Sequence, residues 1–195
     1  VTEGETVAPL WMKDGEKLSE WSFWNFGDQA QLGFPFEDGE EILIDKRAAT
    51  YFYVTFLPSK LGGATFYLTG LRDSDGNMLN GKDTYKLNVP ADVPAKDFWS
   101  AIVYNMETKN FNRGVDRVGA STKDLDKMVK NADGSVDVYY APNLDEVPKG
   151  FEANWVTTES ATNANDWFFL FRLYRPETKE WFKTWMLNDV ENISK

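Results

Sequence analysis

Tyr85-Lys86-Leu87-Asn88-Val89-Pro90 is the stretch of sequence that decides the fold. Its apolar residues Tyr85, Leu87 and Val89 alternate with polar ones, and a period of two residues is typical of a β-strand with one buried face. Pro90 ends the strand, because proline has no backbone N–H for the hydrogen-bond ladder of a sheet. The stretch therefore predicts a half-buried strand over residues 85–89.

The same pattern of strands and turns continues along the chain. Apolar segments typical of strands occupy residues 64–72, 98–104, 136–140 and 167–174. Asp-Gly pairs at 75–76 and 133–134 indicate tight turns, because glycine readily adopts the positive φ that such turns need. Short strands joined by turns predict a mainly β fold, specifically an antiparallel, jelly-roll-like β-sandwich with a few short helices.

Three short helices are expected: one capped by Asp14, one opened by a capping box at Ser121, and one carrying Trp181 and Trp185. Residues 41–57 fit either a helix or a buried strand, and the helix is favoured. Breaks such as Gly33-Phe34-Pro35-Phe36 make the start of the chain irregular. We therefore divide the chain into a partly irregular N-terminal segment, 1–40, and a sandwich domain, 41–195.

Composition limits the functions that the chain can have. Aromatic residues make up 15% of the 195 residues, with eight Trp, which favours a thick packed core over a carbohydrate-stacking platform. The net charge of −10 opposes binding to nucleic-acid phosphates. No apolar run approaches the length of a membrane span, and no signal peptide is visible. We expect neither nucleic acid as a partner nor a membrane span.

The chain has no His and no Cys, which removes thiol and imidazole catalysis together with the usual zinc and copper ligands. Neither a cofactor nor a metal site is expected. Asp73, Asp75 and Asn77 offer oxygen ligands for calcium, but the spacing of an EF-hand loop is missing, so a hairpin turn is favoured there. Catalysis, if any, would rest on carboxylate, Lys or Tyr side chains.

Five stretches in a fixed order resemble one bacterial family, identified as the domain of unknown function 1214 family, and the resemblance spans residues 41–192. They are residues 73–81, 85–104, 131–139, 154–155 and 171–176. Trp185 followed by Asp189-Val190-Glu191 also resembles the usual ending of the family. The resemblance implies a jelly-roll-like sandwich and a periplasmic or secreted location. It also implies a partner, since members usually follow a second domain, numbered 1254, in the same chain; here a separate chain could take that place. The family has no agreed catalytic residue, so none carries over.

Six residues on or beside the apolar strands are candidates for a ligand site. They are Trp99, Tyr104, Asn154, Trp155, Arg172 and Tyr174. Arg172 interrupts an apolar strand, and a buried arginine needs a partner. Two interpretations remain open: a face where rings stack a ligand that Arg172 orients, or a structural ion pair with ring packing. The second is favoured.

The function that we expect is a non-catalytic binding or assembly module, which docks on a partner domain or binds a small molecule or saccharide. The alternative is a carboxylate-dependent hydrolase such as a glycoside hydrolase, using a pair among Asp97, Asp133, Asp137 and Glu152. A structural subunit of a homo-oligomer is a third interpretation, because jelly-roll folds also serve in assembly.

Overall fold

A computed structural model describes residues 7–24, 37–38, 41–42, 65–112, 114–159, 167–178 and 180–194. The described residues are mainly β, with short 3-10 turns and no longer helix, so the mainly β prediction is confirmed. The jelly-roll connectivity stays a prediction. Within these ranges no helix is long and apolar enough to cross a bilayer.

Two sheets make up most of the described structure. One has six strands in the order β1-β4-β7-β13-β9-β10 and the other has four in the order β12-β11-β8-β14. The first comprises β1 (Val7–Pro9), β4 (Ser22–Trp24), β7 (Thr65–Gly70), β9 (Ala95–Asn105), β10 (Gly119–Ser121) and β13 (Trp167–Pro176). The second comprises β8 (Tyr85–Val89), β11 (Val136–Ala141), β12 (Trp155–Thr157) and β14 (Glu191–Asn192). All pairs are antiparallel except β11 with β12.

Four further strands form two small antiparallel ribbons. They are β2 (Met12–Lys13) with β3 (Glu16–Lys17), and β5 (Glu37–Asp38) with β6 (Glu41–Ile42). The N-terminal segment thus supplies β1 and β4 to the six-stranded sheet, while its separation from residues 41–195 stays a prediction. Most of the expected helix over 41–57 lies outside the described residues.

Aromatic rings join the two sheets face to face. Tyr140 of β11 contacts Phe169 of β13, with ring centroids 5.1 Å apart, and Tyr85 of β8 contacts Trp167 at 5.7 Å. All four side chains are almost fully buried. Burying such a ring contributes about 1.5–3 kcal/mol relative to leaving it exposed. The alternating apolar rows therefore point inward and form the core of a sandwich.

The helix expected at Asp14 was wrong. Asp14 and Gly15 instead turn the β2–β3 hairpin, with φ angles of 53° and 87°. The capping box at Ser121 is present, but it opens only a 3-10 turn over Thr122–Asp124. Trp181–Lys183 is likewise a 3-10 turn, and the Trp185 N–H donates to the Trp181 carbonyl at 3.0 Å.

Candidate ligand-binding site

The structure places the six predicted site residues in three locations. Trp99 lies in the core, where its ring stacks on Phe171 with centroids 5.4 Å apart. Tyr104, Arg172 and Tyr174 lie together on the outer face of the six-stranded sheet, because they alternate with core residues along β9 and β13. Asn154 and Trp155 lie at the start of β12 in the other sheet. Three of the six are thus brought together.

Arg172 is packed between tyrosines on that outer face. Its side chain is 9% exposed, its Nη2 donates to the Tyr104 hydroxyl, and its guanidinium lies over the Tyr67 ring at 5.3 Å. Burial raises the pKa of Tyr67 and Tyr104, and the charge of Arg172 opposes that rise. Tyr174 stacks on Phe98 with centroids 3.9 Å apart. Arg172 thus contacts tyrosine rings and a tyrosine hydroxyl on this face, and both interpretations of its role stay predictions.

Asn154 and Trp155 direct their polar atoms to the backbone. The buried Asn154 amide accepts from the Val129 N–H and donates to the carbonyls of Val129 and Asp137, each at 2.8 Å. The Trp155 indole N–H donates to the Ala141 carbonyl at 3.0 Å. The hydrogen bonds of these two side chains therefore hold the start of β12 and the residues just before it against β11.

An open cleft of about 960 Å³, which we call the polar cleft, lies on the outer face of the four-stranded sheet. Lys86 and Asn88 reach it from β8, because Tyr85, Leu87 and Val89 of the same strand point into the core. Asp137 reaches it from β11, and Ser74 lies at its edge. The turn before β11 and the C-terminal segment supply the other lining residues, which are Asn131, Ala132, Asp133, Ser135, Asn188, Asp189 and Glu191. Four parts of the chain that are distant in sequence thus form one surface.

Hydrogen bonds between side chains fix the floor of the polar cleft. The Asn88 amide donates to Asp137 Oδ1 at 2.7 Å and to Ser135 Oγ at 3.1 Å. Asn188 Nδ2 in turn donates to Asn88 Oδ1 at 2.8 Å. The network connects β8, β11 and the C-terminal segment, so the polar groups are held in place before any ligand arrives.

The turn beside this network, residues 131–135, is also stabilised by hydrogen bonds among its own side chains. Ser135 Oγ donates to Asp133 Oδ1 at 2.7 Å, and the Asn131 amide donates to Ser135 Oγ at 3.0 Å. The hydrogen bonds from Ser135 hold the pKa of Asp133 below its usual value. Gly134, with a φ of 86°, makes the turn that brings these residues together. Asp133 is therefore an ionised acceptor at neutral pH.

The charge of the polar cleft is mostly negative. Among the residues that the structure describes, its lining includes four carboxylates and one cation, Lys86, which pairs with Glu191 at 2.7 Å. The hydrogen bond to Glu191 raises the pKa of Lys86. Burial raises the pKa of Asp189, whose Oδ1 accepts from Ser19 Oγ at 2.8 Å. The lining favours neutral or cationic ligands over acidic ones.

The carboxylates proposed for hydrolysis are divided between sites. Asp133 and Asp137 both line the polar cleft, whereas Asp97 pairs with Arg175 at 2.5 Å and Glu152 accepts from the Gly150 N–H at 3.0 Å. A glycosidase needs one carboxyl group that stays protonated near neutral pH. The lowered pKa of Asp133 is opposite to that requirement, so Asp133 is not suited to the acid role of such a pair.

Asp73, Asp75 and Asn77, whose oxygen atoms could in principle bind calcium, lie in a hairpin turn. Asp73 Oδ1 accepts from the N–H groups of Asp75 and Asn77 at 3.0 and 2.9 Å, and Gly76 has a φ of 81°. Across the described ranges, no group of three or more potential metal ligands from Asp, Glu, His and Cys was found.

The sequence profile of the family described as "Protein of unknown function (DUF1214)" matches residues 64–178. The chain belongs to the DUF1214 family. The resemblance drawn from the sequence is thereby confirmed, while the position of the domain behind a 1254-type partner stays a prediction. The DUF1214 match includes Lys86, Asn88 and the 131–137 turn, whereas Asn188 and the rest of the C-terminal wall of the polar cleft lie beyond it.

Two solved structures resemble the DUF1214 chain. The VPA0106 protein from Vibrio parahaemolyticus is 18% identical with a TM-score of 0.52, over 67% of this chain and 31% of that one. An uncharacterised protein from Burkholderia cenocepacia is 13% identical with a TM-score of 0.40, over 85% and 46%. The chain thus spans less than half the length of either protein, and the first likeness shows a shared fold. No match was found among proteins whose functions are curated.

Apart from Asp133 and Asp137, the residues that line the polar cleft were not predicted from the sequence. A signal was present, because Lys86 and Asn88 are the outward positions of the strand that decided the fold. The other side chains of the cleft are brought beside Lys86 and Asn88 by strand pairing, because β8 pairs with β11 and with the C-terminal β14.

Proposed function

We propose that the chain is a non-catalytic binding module whose polar cleft takes a neutral polyhydroxyl ligand, such as a saccharide. The observation that carries the proposal is the fixed network of Asn88, Ser135, Asp137 and Asn188 on the cleft floor. Sugar hydroxyls both donate and accept hydrogen bonds, and this floor combines amide donors with carboxylate and hydroxyl acceptors. Acidic saccharides are disfavoured, because carboxylates outnumber cations in the lining.

Preorganisation supports binding in an open cleft. The network already holds its side chains in place, so a ligand does not have to order them, and that ordering is a main cost of association. The hydroxyls of a ligand would replace water at the remaining lone pairs of Asp137 and Asp133. Neither step requires proton transfer, which agrees with the lowered pKa of Asp133.

The experiment is a screen of the protein on an array of neutral and acidic glycans, followed by calorimetric titration of the best ligand. Asn188→Ala removes an exposed amide of the cleft and is expected to weaken binding at least about fivefold, the effect of one lost hydrogen bond. Asn143→Ala is the matched control, because Asn143 is equally exposed but bonds to Glu146 away from the cleft. Its affinity should equal that of the wild type.

Three results would overturn the proposal. One is an array with no bound neutral glycan, and another is a preference for acidic glycans. The third is an Asn188→Ala variant that binds as tightly as the wild type.

We also propose that the protein is exported and that it docks on a partner domain. Both are supported by membership of the DUF1214 family, and the partner by the finding that the chain aligns with only 31% of the VPA0106 protein. Fractionation of the native cells tests the first, with the protein expected in the periplasm or the medium; recovery in the cytoplasm alone would contradict it. Light scattering of a mixture with a 1254-type domain tests the second.

A further inference from the structure

Aromatic rings adjoin the polar cleft on the outer face of the four-stranded sheet. Tyr139 of β11 is the direct cross-strand partner of Lys86, which lines the cleft, and Trp155 of β12 is the partner of Tyr139 on its other side. Residues paired in this way lie on one face of a sheet, on strands about 4.8 Å apart. The Phe151 ring packs on Tyr139 with centroids 5.4 Å apart. Tyr139, Phe151 and Trp155 therefore lie on one surface with the cleft, and we call them the aromatic cluster.

Two rings of the aromatic cluster are accessible to a ligand, and one of them is held in place by hydrogen bonds. Phe151 and Trp155 are half-buried, whereas Tyr139 is buried next to them. The Trp155 indole N–H donates to the Ala141 carbonyl at 3.0 Å, and Arg117 Nη1 donates to the Trp155 carbonyl at 3.1 Å. A ring that is already fixed provides contact area at a low cost in conformational entropy.

The polar cleft itself offers hydrogen bonds but little apolar contact. Among the described residues that line it, Ala132 is the one apolar side chain, and none is aromatic. A pyranose carries hydroxyl groups at its edge and C–H groups on its faces, so the cleft matches the edge of a sugar better than its faces. The cleft volume of about 960 Å³ lies near the upper end of the range of about 300–1,000 Å³ typical of ligand sites, which leaves room for more than one sugar unit.

The aromatic cluster lies one step along the strands from the cleft floor. Asn88 and Asp137 of the floor are paired with each other, and Lys86 and Tyr139 form the next outward pair, two residues further along β8 and β11. Two residues span about 7 Å of a strand. The Lys86 ammonium pairs with Glu191 of β14, on the side of β8 away from Tyr139. A sugar unit bound on the floor would therefore place the next unit of its chain at the aromatic cluster.

We infer that the ligand of the polar cleft is an oligosaccharide of at least two neutral pyranose units, the second of which stacks on Trp155 and Phe151. This inference rests on the proposed saccharide function of the cleft and specifies its ligand. One unit hydrogen-bonds to the cleft floor through its hydroxyl groups, while the C–H face of the next unit is removed from water against the rings. Chains of β-1,4-linked glucose fit this arrangement, because both faces of each unit carry only C–H groups.

The test is a calorimetric titration of the full chain with glucose, cellobiose and cellotriose. Cellobiose should bind about fivefold more tightly than glucose, which is the effect of one aromatic contact, and cellotriose should add little. Phe151→Leu keeps an apolar side chain but removes the ring, so it should lose most of this gain and bind glucose normally. Phe98→Leu is the matched control, because Phe98 is an equally half-buried ring that stacks on Tyr174 on the outer face of the other sheet. It should keep the whole gain.

A second measurement uses the wild type labelled with 5-fluorotryptophan, so it does not depend on the stability of a cluster variant. The fluorine signal of Trp155, assigned by its loss in Trp155→Tyr, should shift with cellobiose and stay in place with glucose. Trp155→Tyr keeps a ring for stacking and should retain part of the gain from the second unit, whereas folded Trp155→Leu should lose it.

Several outcomes would overturn the inference. If glucose binds but the second unit adds no affinity, or if folded Phe151→Leu and Trp155→Leu keep the full gain, the aromatic cluster is not a subsite, while the proposed function of the cleft stands. If none of the three sugars binds, the inference fails as well, and the proposed function then depends on the glycan array. An Asn188→Ala variant that binds glucose normally counts against the proposed function and against the inference that rests on it.

Discussion

Replacing Asn154 with alanine tests how the loop before β12 is held to the four-stranded sheet. The Asn154 side chain is fully buried and makes three hydrogen bonds of 2.8 Å, two with the Val129 backbone and one with the Asp137 carbonyl. Alanine removes all three and leaves the backbone groups of Val129 and Asp137 without these partners. Water cannot easily replace them at a buried position.

The magnitude follows from these contacts. A hydrogen bond contributes about 1 kcal/mol net, and an abandoned buried partner costs at least as much, so Asn154→Ala should lower the free energy of unfolding by about 3 kcal/mol. Urea denaturation measures this value. With an m-value near 2 kcal/mol/M, the midpoint should fall by about 1.5 M.

A matched control makes the result interpretable. Asn143→Ala changes an exposed asparagine in the same connection and should alter stability by less than about 0.5 kcal/mol. A loss of less than about 1 kcal/mol in Asn154→Ala would refute the reasoning, because it would mean that the amide does not make these buried contacts.

Three other substitutions test the core, a sheet edge and the polar cleft. Phe171→Ala should destabilise the protein by about 3–5 kcal/mol in urea, since Phe171 is fully buried and stacks on Trp99; a loss under about 1 kcal/mol would contradict the packing. Gly119→Ala should cost about 1–3 kcal/mol, because an added Cβ would lie 2.4 Å from the Ala101 carbonyl oxygen; an unchanged Tm would contradict that approach. Burial raises the pKa of Asp189, so the wild type loses stability as this carboxyl ionises in the folded protein, whereas Asp189→Asn has no carboxyl to ionise. The Tm of Asp189→Asn minus that of the wild type should therefore increase as the pH rises through the acidic range. A Tm difference independent of pH would contradict this prediction.

The strands were predictable because their signal is local. The alternation of Tyr85, Leu87 and Val89 placed β8 at the residues where the structure has it, and β11 and β13 begin at the predicted Val136 and Trp167. Side chains that alternate along a strand report burial directly. Arg172 was recognised as an interruption of an apolar run, but its place on the outer face follows from the register of β13 against β9.

The N-terminal hairpin was missed because two local signals conflict. Leu18 and Trp21 are spaced as in a helix, and the prediction rested on that spacing, whereas the Asp14-Gly15 pair is typical of a tight turn. The same Asp-Gly signal was interpreted correctly at 75–76 and 133–134. In the structure, hydrogen bonds of Trp11 and Trp21 to distant carbonyls hold the hairpin against the C-terminal segment, and such long-range packing overrides local spacing.

The polar cleft could not be predicted for a different reason. Asn88 and Asn188 are a hundred positions apart, and they meet only because β14 pairs with β8. No local pattern in the sequence specifies that pairing. Asp133 and Asp137 were recognised as candidate carboxylates, but their partners Ser135 and Asn88 required the register of β8 against β11.

The claim on which the fold and the polar cleft depend is that β11 and β13 face each other through their inward rows. Nuclear Overhauser spectroscopy on selectively labelled protein tests it directly. Ring protons of Tyr140 and Phe169 should give strong cross-peaks, since their centroids are 5.1 Å apart, and a soluble paramagnetic agent should not broaden them. Missing cross-peaks together with broadening of the Tyr140 ring would show that these rows face water, and would contradict the account.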